Sequence, residues 1–253
     1  MAIKTAVIDG IATIEIARPE KKNALTGAMY LALAQAFDAA REDDAVRAVL
    51  LTGQPGIFTS GNDIEDFVRR PANLQEAPSF VFMKALMACD KPVVAAVTGA
   101  AIGIGTTLLL HCDFVYISDE ARLALPFVTL GLVPEFASSL IVPQLMGNVR
   151  AAEKLLLGDP FSGADAVECG IANAVLPAGE VVRHARRVAE RFNALPPGAV
   201  RATKRLLRRH RAETLLETIA AEGEVFGARL QSPEAKEAFS AFFEKRKPDF
   251  SKF

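Results

Sequence analysis

The stretch KPVVAAVTGAAIGIGTTLLLHCDFVYIS, Lys91–Ser118, decides the fold. Its first block, PVVAAV, is short, apolar and rich in β-branched residues, the pattern of a strand buried on both faces. GAAIGIGTTLLLHC then opens a buried helix behind a glycine-containing turn, and DFVYIS returns to strand. A strand, a crossover and a second strand in the same sheet must run parallel, because a tight turn can only join antiparallel neighbours.

Working outward, the same alternation recurs. Thr5–Val7 and Ala12–Ile16 read as a hairpin around Asp9 and Gly10, followed by a helix with Leu31, Ala34 and Phe37 at helical spacing and Asn23 or Thr26 as its cap. A strand is predicted over Ala45–Leu51, a turn over Thr59–Asn62, a short helix over Asp63–Arg70, a mobile loop over Pro71–Pro78 and a helix over Ser79–Cys89. From Asp159 onward the pattern is mostly helical, with helices expected over Val181–Asn193, Pro197–His210, Glu213–Leu230 and Ser232–Lys245. The expected fold class is α/β with parallel strands, built on a repeated β-β-α theme without a strict sequence repeat. A core over residues 1–195 and a helical C-terminal region over 196–253 are the expected divisions. The basic run RATKRLLRRHR reads first as a solvated helix face and second as a grip on an anionic group.

With 253 residues, 51% of them hydrophobic, and a formal net charge of −1, the chain can build a sizeable core. It lacks the basic excess and the motifs of nucleic-acid binding. The alternating start MAIKTAVIDGIATIEIA argues against a signal peptide, and no apolar run reaches membrane-spanning length. Cys89, Cys112 and Cys169 are odd in number and widely spaced, so no disulfide framework or metal motif is expected, and a cytoplasmic location fits.

Two segments carry the expected chemistry: FTSGNDI (Phe58–Ile64) and GAAIGIGTT (Gly99–Thr107). Small residues at Ser60, Gly61, Gly103 and Gly105 let main-chain N–H groups approach a ligand, and a helix start leaves further N–H groups unpaired. Two such donors aimed at one oxygen stabilise an oxyanion; glycines at strand ends also serve as plain tight turns. The glycines do not match the dinucleotide fingerprint, and Ser60 lacks the pattern of a hydrolase nucleophile.

RPEKKNAL, FTSGNDI, the Lys91–Ser118 stretch, GDPFSGADAVECGIAN and FFEKRKPDF together resemble, in order and over essentially the whole chain, the signatures of the enoyl-CoA hydratase/isomerase, or crotonase, superfamily. The resemblance implies a spiral of β-β-α units with a C-terminal helical trimerisation region, a homotrimer or dimer of trimers, and acyl-CoA thioester substrates. Coenzyme A would enter as part of the substrate, with no separate cofactor and no metal. By position, the oxyanion donors carry over to the N–H groups of Ser60 and Ile104. Arg18 and Lys22 would contact the CoA phosphates or adenine, or else be plain surface charges. Ser60, Gly61, Asn62, Asp63 and Ile64 would accept adenine and pantetheine through main-chain groups, and the KRK run at Lys245–Lys247 would reach a neighbour's CoA.

The departures set the expected reaction. The two glutamates that hydratases of this family use fall at Thr107 and Phe127, neither of which has a carboxylate to move a proton. LGLVPEFASSLIVPQLMG instead resembles the monofunctional Δ3,Δ2-enoyl-CoA isomerases of peroxisomal type, whose single catalytic glutamate falls at Glu135. One base suffices to take a proton from C2 of a 3-enoyl thioester and return it at C4. Val133, Pro134 and Phe136 would partly desolvate that base, while Phe127, Leu130 and Leu132 would wall the acyl pocket. Asp63 is expected to cap the helix after it, and His111 to be a buried structural histidine. An enoyl-CoA hydratase and a non-catalytic acyl-CoA-binding subunit are the alternatives.

Overall fold

The strand read from PVVAAV lies inside a six-stranded sheet of a computed structural model that describes residues 2–67 and 77–253. In chain order the strands are β1 (Ile3–Ile8), β2 (Ile11–Ile16), β3 (Ala48–Thr52), β4 (Ile57–Thr59), β5 (Val93–Val97), β6 (Ala100–Ile102), β7 (Phe114–Ser118), β8 (Arg122–Ala124), β9 (Phe161–Ser162) and β10 (Ala174–Leu176). The larger sheet has the order β1-β2-β3-β5-β7-β10, and the smaller has β4-β6-β8-β9. The first pair is the expected antiparallel hairpin, turned by Asp9 and Gly10 at positive φ. From β2 through β10 the larger sheet is parallel.

From β3 on, each β-β-α unit gives its first strand to the larger sheet and its second to the smaller one. The corner between β5 and β6 requires Gly99: its φ is +72°, and a Cβ there would sit 1.8 Å from the carbonyl oxygen of Gly56, at the equivalent corner of the preceding unit. Backbone therefore packs on backbone at the junction, where no side chain fits.

The helices are α1 (Gly27–Glu42), α2 (Ile64–Phe67), α3 (Pro78–Ala88), α4 (Ile104–Thr107), α5 (Ser138–Met146), α6 (Asn148–Ala152), α7 (Gly163–Glu168), α8 (Val181–Glu190), α9 (Pro197–Arg209), α10 (Ala212–Leu230) and α11 (Pro233–Phe243). Both faces of the parallel strands are buried, as crossover helices demand. Val49, Leu51 and Val93 pack with Tyr30, Phe37 and Phe82 from α1 and α3, while Ala48, Leu50 and Val94 pack with Val181, Ala185 and Val188 from α8.

Several expectations change. Thr26 caps α1, its hydroxyl accepting from the Met29 amide at 3.3 Å. Asn23 is no cap: wholly buried, it donates to the carbonyls of Ile16 and Phe58 at 3.0 Å each and so ties β2 to β4. Leu31 is exposed. Ala100–Ile102 is a strand, not part of the helix, and β9 and β10 interrupt the stretch read as mostly helical. The helix expected over Asp63–Arg70 is seen at Ile64–Phe67, and Pro78 opens α3; residues 68–76 lie outside the described residues. The basic run is a solvated face only in part: Arg205, Arg209, His210 and Arg211 are exposed, but other members are buried or paired. Lys204 is buried and meets Asp113 at 2.5 Å, Arg208 meets the other Asp113 oxygen at 3.1 Å, and Arg201 and Arg205 both reach Asp90 Oδ2.

Candidate active site

The turn before α5 is a constrained piece of backbone. Phe136 and Ala137 are consecutive non-glycine residues in the left-handed region, with φ of 58° and 57°, a conformation that costs roughly 1–2 kcal/mol per residue. Neighbours hold it from three sides. The Ser138 hydroxyl and amide both donate to the Glu135 carbonyl, and His111 Nε2 donates to the Phe136 carbonyl at 2.8 Å. His111 also stacks on the Phe136 ring with centroids 3.7 Å apart. Burial pushes its pKa down to about 4, so the imidazole is neutral and its role is the structural one expected.

From this turn Glu135 enters a cavity of about 50 Å³, lined by Tyr30, Asn62, Met83, Ile104, Glu222 and Phe226 among others. The Thr107 hydroxyl, at the end of α4, donates to Glu135 Oε1 at 2.5 Å. Glu222, on α10, lines the same cavity, but its two oxygens accept the amides of Ala137 at 2.6 Å and Ser139 at 2.9 Å. Desolvation raises the pKa of Glu222 against the pull of these bonds. A larger groove of about 830 Å³ runs between α9, α10 and the body; Asp113, held by Lys204 and Arg208, is the one acid among its described lining residues. His111 lines the groove and its stacking partner Phe136 lines the small cavity, so this pair stands between the two.

The first expected donor needs correction. The Ser60 amide donates to the Lys22 carbonyl at 3.1 Å and the Gly61 amide to Thr59 Oγ1 at 3.1 Å. Asn62 instead bridges Leu25: the Leu25 amide donates to the Gly61 carbonyl and the Asp63 amide to the Leu25 carbonyl. Peptide groups alternate along an extended chain, so the N–H of Asn62 points away from Leu25, and Asn62 lines the cavity. The Tyr30 hydroxyl fixes its side chain through Oδ1 at 2.7 Å. Gly61, at φ +92°, permits the turn: a Cβ would lie 2.9 Å from the Ile102 carbonyl oxygen. Ile104 follows the Gly103 cap as the first residue of α4, where a helix leaves its amides without intrahelical acceptors. Gly105 packs against Thr59 of β4, bringing the two segments together.

Other expected contacts divide. Arg18 Nη1 bonds Asp63 at 2.7 Å and the Ala24 carbonyl at 2.9 Å, so it braces the turn from behind. Burial would raise the Asp63 carboxyl, but the bonds from Arg18 and from the Asp66 amide outweigh it and hold it low. That Asp66 amide contact is the helix cap expected of Asp63. The Lys22 side chain is exposed and its main chain is left-handed, with φ 51°. Phe127, Leu130 and Leu132 pack with Leu125, Phe226 and Phe239 in a satellite core and are not among the described cavity residues; Ile64 borders the same cluster. Arg246, centre of the KRK run, is held by Glu237 and Glu244 of its own chain. Sequence reasoning missed Tyr30, Met83, Glu222 and Phe226. Ile219, Glu222 and Phe226 recur at helical spacing, and an acid in that apolar stripe was the available signal.

The family model for enoyl-CoA hydratase/isomerase matches residues 7–252. The chain belongs to that family. The solved structure of Pseudomonas aeruginosa OdaA superposes with a TM-score of 0.93 at 52% identity, covering 95% of this chain and 98% of that one. Among curated relatives, a probable enoyl-CoA hydratase of Bacillus subtilis is 30% identical over 98% of both chains. Enoyl-CoA delta isomerase 2 of Homo sapiens is 34% identical over 94% of this chain, which spans 62% of that protein's length. The crotonase fold expected from the sequence is thus the fold observed, and relatives carry both reaction names.

Proposed function

We propose that this enoyl-CoA hydratase/isomerase family member is a Δ3,Δ2-enoyl-CoA isomerase of the peroxisomal type, acting on an acyl-CoA thioester. The observation that carries this reading is the division of labour between two acids in one cavity: Glu222 is committed to two backbone amides, and Glu135 faces the cavity with a hydroxyl on one oxygen. In this reading Glu135 takes a proton from C2 and returns it at C4, so no water is consumed and one base serves both steps. The negative charge that develops on the thioester oxygen is received by the main-chain amides of Asn62 and Ile104, the arrangement that stabilises an enolate. Apolar walls from Met83, Ile104 and Phe226 exclude water, which would add to the conjugated product. Coenzyme A is part of the substrate, and a homotrimer or dimer of trimers belongs to the same proposal.

With 3-hexenoyl-CoA the protein is expected to generate the absorbance of a conjugated thioester, and Glu135→Gln to lower that rate by about 10³-fold. A variant rate equal to the parent's overturns the assignment. Hydration is the second reading, because a second carboxylate does line the cavity. It requires Glu222 to leave the amides of Ala137 and Ser139. Rapid loss of conjugation from crotonyl-CoA would favour it, and tight ester binding without turnover or C2 deuterium exchange would favour a non-catalytic subunit.

A further inference from the structure

The geometry points to Glu222 as the positioning residue that sets Glu135 for proton transfer, through the backbone of Phe136 and Ala137. The inference rests on Glu135 being the base and adds what holds it.

Four observations converge. The cap residue of α5, Ala137, has no side chain that can accept a hydrogen bond, so the first amides of that helix need an acceptor from elsewhere. Glu222 supplies it with both oxygens, one to Ala137 and one to Ser139, from a helix 83 to 85 residues further along the chain. Among the described residues it is the one buried carboxylate, at 8% exposure, so its bonds form away from competing water. Phe136 and Ala137, the two residues between Glu135 and the first residue of α5, Ser138, are held at positive φ. Releasing them lets the backbone relax toward the right-handed or extended regions, which re-aims the Glu135 side chain. Thr107 fixes the tip of Glu135 and Glu222 fixes its root. The C-terminal helices therefore complete the reacting group's geometry in addition to closing the cavity.

The test pairs kinetics with amide exchange. Glu222→Gln keeps one acceptor and turns an NH₂ group toward the other amide; Glu222→Ala removes both bonds. With 3-hexenoyl-CoA, kcat is expected to fall about tenfold in the first variant and about a hundredfold in the second, while KM stays within about twofold, because misplacement of a reacting group costs rate without removing substrate contacts. Hydrogen–deuterium exchange should quicken in peptides spanning Ala137 and Ser139 in the same order. Parental kcat in either folded variant, or unchanged exchange, overturns the inference; should Glu222→Ala fail to fold, Glu222→Gln decides alone. Glu135→Gln measured alongside separates the failures. An inactive Glu135→Gln beside a fully active Glu222→Gln removes only the positioning role, whereas an active Glu135→Gln removes the base.

Discussion

Thr107 stands where a hydratase of this family would carry a carboxylate, and its hydroxyl is spent on Glu135. A hydrogen bond to a charged acceptor contributes about 1.5–3 kcal/mol, so Thr107→Val is expected to lower kcat by roughly tenfold or more in the conjugation assay while leaving the fold intact. Thr107→Ser should recover most of the rate. His111 carries a different prediction. Its folded pKa of about 4 lies below the ordinary 6.5, so between those values the unfolded chain takes up a proton that the native chain refuses. The stability tied to neutral His111 is present above pH 6.5 and is lost as pH falls toward 4, by at most roughly 3 kcal/mol. Urea unfolding at pH 7 and pH 5 should show a steeper loss for the parent than for His111→Gln, whose amide can still donate to Phe136. At this scale the sequence pointed to Glu135 and Ile104, which line the cavity, and to His111, which is buried, but the Ser60 amide it named is bonded to the Lys22 carbonyl. Ser60 and Asn62 both sit beside Gly61, and which N–H turns inward depends on the phase of the bridge to Leu25, a long-range pairing that residue size does not encode.

Elements dock here through charge as well as apolar surface. Asp113, just before β7, accepts from the Val93 amide, Lys204 and Arg208 at once, pinning α9 to the N-terminal ends of β5 and β7. Removing one partner of a buried pair leaves the other charge uncompensated, so Asp113→Ala is expected to cost about 3–5 kcal/mol in denaturant unfolding. Surface pairs such as Arg150–Glu168 should contribute under about 1 kcal/mol when broken. The longer parallel strands and the long helices were legible because burial marks five or more residues, as a continuous apolar run in PVVAAV and as a helical period in α8. The strands of the smaller sheet were not: β6, β8 and β9 have two or three residues each, too few to show a period. The basic run misled for a related reason, since the acids that neutralise it, Asp90 and Asp113, lie about a hundred positions earlier and only the fold brings them near.

At the level of the whole molecule, the cavity draws on α1, the turn after β4, α3, α4, the start of α5 and α10, so no local segment contains the site. That dispersion explains why the family resemblance pointed to Glu135 while the other lining residues escaped notice: Tyr30, Met83 and Phe226 lie in ordinary amphipathic helices and become neighbours only on folding. It also sets a time order during synthesis. All of β1 through β10 is synthesised before α10, so the amides of Ala137 and Ser139 wait for their acceptor until residue 222 has left the ribosome. On the role proposed for Glu222, turnover then reports that translation reached α10.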